Sequence, residues 1–221
     1  MYICEEKNWP ITFYPLLDFI DKKMMIWFLI NNIQKITQNE NIASIKQDFS
    51  NQNNHKKFFK NLNYLQFTKH KRFYTDIIEK LINHIITKNI ASEKELYNQP
   101  ECISWDFIEK KSNNPLFSFE SHGITHNPVI ALTNEELEKE VINSKKRLFD
   151  VTGKEVNHFC YPYGGPLSIG KTAPKIIGKH FQSCTTMIRG RVNSSNVHYL
   201  SRIPIYDIDN DFRVLLKMLT Y

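Results

Sequence analysis

The period of the apolar positions changes along the chain, and the changes mark its elements. Ile11 to Leu17 (ITFYPLL) is a short β-prone run after Pro10 and reads as a buried strand. From Met24 to Pro100 the period is helical. Phe73, Ile77, Ile78, Leu81, Ile82, Ile85 and Ile86 recur at i, i+4 and i+8, making one apolar stripe with His84 at its rim. Thr37 to Asn54 is polar and rich in Asn and Gln, so residues 24–100 read as a helical insertion with a loose middle.

Beyond Pro100, short strands alternate with helices, the pattern of an α/β fold. Trp105 to Lys110 predicts one or two helical turns, Leu116 to Glu120 a strand, and Ser121 to Pro128 a polar loop. Thr133 with Glu136 three residues on is a capping box, and it opens a helix through Leu137, Val141, Leu148 and Phe149 to a stop at Gly153. Val156 to Tyr161 is the next strand, and Pro162-Tyr163-Gly164-Gly165 a turn. Ala173 to His180 reads as helix, Ser183 to Ile188 and Arg202 to Tyr206 as strands, and Asp211 to Leu219 as a closing helix. The 221 residues read as one domain, 1–221, carrying the insertion within it.

Composition adds limits. The chain is 41% hydrophobic and 24% charged, as a globular protein is, and its net charge is +6. A basic balance suits an acidic partner, but the lysines are scattered. The densest basic run, Lys56, Lys57, Lys60 and Lys69 to Arg72, has Phe58, Phe59, Tyr64 and Phe67 interleaved. It reads as a helical surface whose aromatics point inward, and a nucleic-acid-binding protein is the last-ranked reading. Cys4, Cys102, Cys160 and Cys184 show no metal-ligand spacing and read as free thiols. No apolar run is long enough to cross a bilayer and no signal peptide opens the chain, so as written it is expected in the cytoplasm. A longer N-terminus would make a periplasmic or cell-surface location possible.

Candidate chemistry sits in two loops that each follow a strand. His122 and His126 are four apart just past the LFSFE strand, where one turn of backbone can aim both imidazoles at one point. Two neutral imidazoles about 2.0–2.1 Å from a divalent ion begin a zinc site, which then needs a third ligand. The Tyr161-Pro162-Tyr163-Gly164 turn follows the next strand, and its backbone N–H groups can face a developing oxyanion.

With Ser104-Trp105-Asp106, Glu120 to Pro128 (ESHGITHNP), Leu132 to Leu137 (LTNEEL) with Glu140, Ser144 and Lys145, and Phe159 to Gly164 (FCYPYG) in register, the chain resembles the polysaccharide deacetylases, the NodB-homology domain of carbohydrate esterase family 4. The resemblance covers roughly residues 101 to 206, and Pro10 to Phe13 with Asp18, Asp21 and Trp27 is similar to the family's second strand. It implies a distorted (β/α) barrel of seven or eight strands. It also implies a divalent metal, usually zinc, held by Asp-His-His, and hydrolysis of the N-acetyl group of an N-acetylhexosamine-containing polysaccharide or glycolipid. On this resemblance His122 and His126 are metal ligands, Tyr163 is the catalytic oxyanion residue, and Tyr161, Pro162 and Gly164 contact the carbohydrate.

The family's Asp-Asp strand end, source of the general base and third ligand, would precede Pro10, and the chain as written begins after it. The expectation is therefore a barrel without its first strand, with a non-catalytic remnant of such a deacetylase as the alternative. Cys160 stands where many members carry an arginine, Gly123 where Ser or Thr is usual. Asp207, Asp209 and Asp211 read as a solvated loop. His180 and His198 are the later candidates for a general acid and read as surface histidines.

Overall fold

The computed structural model describes residues 2–42, 55–65, 71–192, 194–205, 213–214 and 217. The chain divides into two compact units: Asp21–Cys102, and Met1–Ile20 with Ile103–Tyr221.

The Asp21–Cys102 unit is helical, with α3 (Ile26–Ile36), α4 (His55–Leu65), α5 (Lys71–Thr87) and α6 (Glu93–Leu96). Its core gathers Ile30 and Ile33, Phe58, Phe59 and Leu62, and Ile77, Leu81 and Ile85, all fully buried. From Ile77 to Ile85 the stripe on α5 thus faces the core, whereas Ile86 beyond it is exposed. Phe58 and Phe59 meet edge to face with ring centroids 5.1 Å apart, whereas Tyr64 points to solvent. Phe67 lies outside the described residues, as do residues 43–54 of the polar middle. Gln99 ties the two ends of the unit together: its carboxamide accepts from the Met25 N–H at 3.0 Å and donates to Lys23 O at 3.1 Å. Asn32 adds two more bonds to the same segment, donating to the carbonyls of Leu96 and Asn98.

The second unit holds α1 (Tyr2–Glu6), β1 (Ile11–Phe13), α2 (Leu17–Ile20), α7 (Trp105–Ser112), β2 (Phe117–Phe119), α8 (Asn134–Thr152), β3 (His158–Cys160), α9 (Pro166–Ile169), α10 (Ala173–Ile177) and β4 (Ser183–Thr185). β1 pairs in parallel with β2, and β3 with β4. A parallel bridge from Ser121 to Phe159 joins the two pairs, and another from Thr185 to Leu200 extends the second. The strands therefore run as one parallel arc in the order β1, β2, β3, β4, with Leu200 at its end. No closed barrel forms among the described residues.

The strands are shorter than the sequence predicts, for local reasons. Pro15 follows the end of β1, and the expected strand at Ile11–Leu17 gives way to helix at Leu17. The run Ser183–Ile188 pairs with β3 only as far as Thr185; beyond it the Thr186 N–H donates to Leu200 O at 2.9 Å and the Met187 N–H to Gly164 O in the turn at 2.8 Å. The expected strand at Arg202–Tyr206 is absent from 202–205, where Pro204 cannot donate to a ladder; Tyr206 is outside the described residues. Of the expected closing helix, residues 213, 214 and 217 are helical, and the others are outside the described residues.

Alternation splits the arc into two faces. Phe117, Phe119, Phe159 and Cys184 face a core shared with Leu137, Val141 and Leu148 of α8 and Ile176 and Ile177 of α10. Burying each such side chain contributes about 1.5–3 kcal/mol. The opposite, inner face is polar: Thr12 and Ser118 hydroxyls lie 2.8 Å apart, and His158 Nδ1 lies 2.8 Å from Ser183 Oγ. Among the described residues no helix is long and apolar enough to cross a membrane.

Candidate functional site

The site grows from the C-terminal ends of β2 and β3. β2 ends at Phe119, and the loop beyond it is shaped by one carboxylate. Glu140, on the second turn of α8, accepts through Oε1 from the N–H of Ile124 at 2.8 Å, the N–H of Thr125 at 2.7 Å and the Thr125 hydroxyl at 2.9 Å. The capping box fixes where α8 begins, since Thr133 and Glu136 each accept from the other's backbone N–H, and so it fixes the height of Glu140. Gly123 makes room for that carboxylate: its φ is +80°, and a Cβ there would stand 3.0 Å from Glu140 Oε1. The departure from Ser or Thr at this position is thus a packing requirement.

His126 completes the turn with a φ of +59°. The two imidazoles come together with ring centroids 4.9 Å apart. His122 Nδ1 lies 2.7 Å from the carbonyl oxygen of Cys160. A carbonyl only accepts, so Nδ1 carries the proton and Nε2 keeps its lone pair for a ligand. Burial, and then the neighbouring His122, push His126 down to about 3, so its ring is neutral at ordinary pH.

The turn after β3 closes the other side. Tyr163 packs its ring edge to face on His126 with centroids 4.6 Å apart, and its φ is +60°. Burial pushes its phenol up to about 12. Gly164 follows with a φ of +61°, and a Cβ there would fall 2.5 Å from the Met187 backbone nitrogen. His122, His126, Tyr163 and Gly164 therefore share one cleft wall. Pro162 is buried within the turn. Tyr161 turns the other way: its side chain is fully buried, and its hydroxyl donates to His198 O at 2.9 Å. Only the backbone of Tyr161 is left to meet a ligand.

The later histidines are engaged elsewhere. His180 Nε2 lies 3.1 Å from Glu138 Oε1, and His198 Nε2 lies 3.1 Å from Phe181 O. Asp207, Asp209 and Asp211 lie outside the described residues. Among the described residues no group of three His, Cys, Asp or Glu could hold a metal ion. The histidine pair thus fits as two ligands, and the described residues do not complete a metal site.

Sequence reasoning left two groups without a role. Glu140 was legible as part of the motif series, but its hold on the loop needs the third dimension. Cys160 lies on the inner face beside His122; burial alone raises a thiol, yet the hydrogen bond and charge of His122, then Arg202 and Thr185, bring it down to about 7. All four cysteines are free.

Known proteins similar to the chain are polysaccharide deacetylases. The family model described as polysaccharide deacetylase matches residues 78–180, a span that begins within the helical unit and ends just after α10. No curated protein matches the chain. Among solved structures, a polysaccharide deacetylase from Bacillus cereus superposes with a TM-score of 0.48 at 19% identity, covering 62% of this chain and 47% of that one. The deacetylase PplD of Streptococcus pyogenes, in complex with acetate, gives 0.49 at 18%, covering 55% and 53%. IcaB from Ammonifex degensii gives 0.44 at 20%, covering 53% of each. The chain spans about half the length of these structures. The span 78–180, which is similar to the polysaccharide deacetylase model, contains the histidine pair, Glu140 and the Tyr-Pro-Tyr-Gly turn.

Proposed function

We propose that the chain serves the metal-dependent hydrolysis of the N-acetyl group of an N-acetylhexosamine-containing polysaccharide or glycolipid, on a distorted (β/α) barrel of which the parallel arc is part. The observation that carries this reading is the pair of adjacent imidazoles, one locked by Cys160 O with the Nε2 lone pair left for a ligand, set against Tyr163 inside the family-matched span.

His122 and His126 would hold a divalent ion, zinc by preference for neutral imidazole. When bound, such an ion polarises a carbonyl and lowers the pKa of water. The protein's own residues do the rest of what can be derived. Cys160 O orients His122, Glu140 holds the connecting loop rigid, and the ring of Tyr163 shields His126 from water. The Pro162-Tyr163-Gly164 backbone lines the place where the oxygen of a bound acetamide would lie.

The test is acetate release from N-acetylglucosamine oligosaccharides with and without added zinc. Wild type should release acetate only with metal, and His122→Ala and His126→Ala should each abolish it. A near-normal rate in either variant would refute the assignment. A second reading is favoured by the donor set, which stops at two among the described residues: metal or sugar binding retained without hydrolysis. It predicts His122-dependent zinc binding by calorimetry and no acetate release.

A further inference from the structure

Arg202 reaches the inner face of the arc, where none of the described carboxylates pairs with it. The segment that carries it follows the Thr185–Leu200 bridge, and its backbone N–H donates to Ile188 O at 3.0 Å. The side chain is half-buried. Nη2 donates to the Met187 thioether at 2.6 Å, and a thioether is a weak acceptor. Nε is sealed from water and meets no acceptor at all. Among the described residues no carboxylate stands within ion-pair distance of this guanidinium. A buried donor without an acceptor costs free energy, and a guanidinium is a planar fork of donors that fits carboxylate geometry.

Its neighbours are donors as well. Cys160 pairs with Thr185 in the β3–β4 register, Thr185 bridges Leu200, and Arg202 is two residues further, so alternation puts all three side chains on one face. Tyr14 joins them from the end of β1, opposite Glu120, whose N–H donates to Phe13 O at 2.8 Å. Thr185 Oγ1 is also sealed from water and lies against Tyr14 and Cys160. Burial first, then the Cys160 and Glu120 charges, push the Tyr14 phenol up to about 12, so it keeps a proton to donate. The carboxylate of Glu120 is turned to β3, where it accepts from the N–H groups of Asn157 and His158 at 2.8 and 2.7 Å. One cation and two neutral hydroxyls, with the Glu120 carboxylate and the Cys160 thiol as acidic groups nearby, suit a singly charged, planar anion better than a phosphate dianion.

We propose that Arg202, with the hydroxyls of Tyr14 and Thr185, binds a small carboxylate on the inner face of the arc. The site is built without His122 or His126 and does not rest on the hydrolytic reading.

The test uses the full chain and sodium acetate, at chloride-matched ionic strength, followed on the Arg202 Nε–H NMR cross-peak and by calorimetry. Acetate should move that cross-peak saturably, with millimolar affinity. Arg202→Gln should weaken binding by about tenfold or more, and Thr185→Val and Tyr14→Phe each severalfold, with unchanged circular dichroism. Arg202→Lys, which keeps the charge but loses the fork, covers the case in which the glutamine variant fails to fold, and it too should bind more weakly. His122→Ala should bind acetate as wild type does, so a chain that hydrolyses nothing can still bear out this site. Equal response to chloride, an Arg202 cross-peak unmoved by acetate, or wild-type affinity in the lysine variant would each overturn the proposal.

Discussion

At the scale of single residues, the cleft depends on atoms that never face a ligand. Glu140 gathers three donors on one oxygen, and those donors lie between the two histidines. Glu140→Ala should cost about 1–3 kcal/mol in urea denaturation, the range for part-buried donors losing their acceptor. Glu140→Gln, which keeps an acceptor oxygen, should lose less. Equal stability of the alanine variant and wild type would remove Glu140 from this role. Glycines give a second contrast. Gly153 ends α8 at a φ of +65° with open space around a would-be Cβ, so Gly153→Ala should cost about 1 kcal/mol of backbone strain. Gly164 adds a collision with the Met187 nitrogen, and Gly164→Ala should cost about 2 kcal/mol or more by the same measurement. Similar losses in the two variants would show that the turn relaxes.

At the scale of elements, helix ends were legible and strand ends were not. The capping box of α8 is written in adjacent residues, and its bonds form as the spacing predicts, with the Thr133 N–H donating to Glu136 Oε2 at 2.9 Å. Thr133→Ala should cost about 1 kcal/mol by thermal or chemical denaturation, and an unchanged midpoint would mean that α8 is held by its packing alone. Strands are settled by partners from afar. The run at Ser183–Ile188 has the right composition for a longer strand, yet the Gly164 turn takes the Met187 donor. At Arg202–Ile205 the proline at 204 should have weighed more than the flanking isoleucines. The aromatics of α4 show the same limit: Phe58 and Phe59 are buried as the periodicity implies, but Tyr64 is in water.

For the molecule as a whole, two cores form around two different periods. The helical unit is stitched at its ends by Gln99, which bonds Met25 and Lys23 across more than seventy residues of chain. Gln99→Ala should loosen that junction by about 1 kcal/mol, seen as faster hydrogen exchange at the Met25 amide. Protection equal to wild type would mean that the junction is held by other contacts. By itself the sequence determined the helical and α/β regions, the capped helix, and the motif order by which roughly residues 101 to 206 resemble the polysaccharide deacetylases. Those features rest on neighbours three or four residues apart or on residue type at fixed spacing, which a chain carries in any conformation. Tertiary structure alone decided which nitrogen of His122 keeps its lone pair, that Glu140 governs the loop, that Tyr161 turns into the core, and that Arg202 stands beside Tyr14 and Thr185 without an ion pair among the described residues. Each of these depends on strands that meet only after folding, where parallel register rather than sequence distance chooses the neighbours.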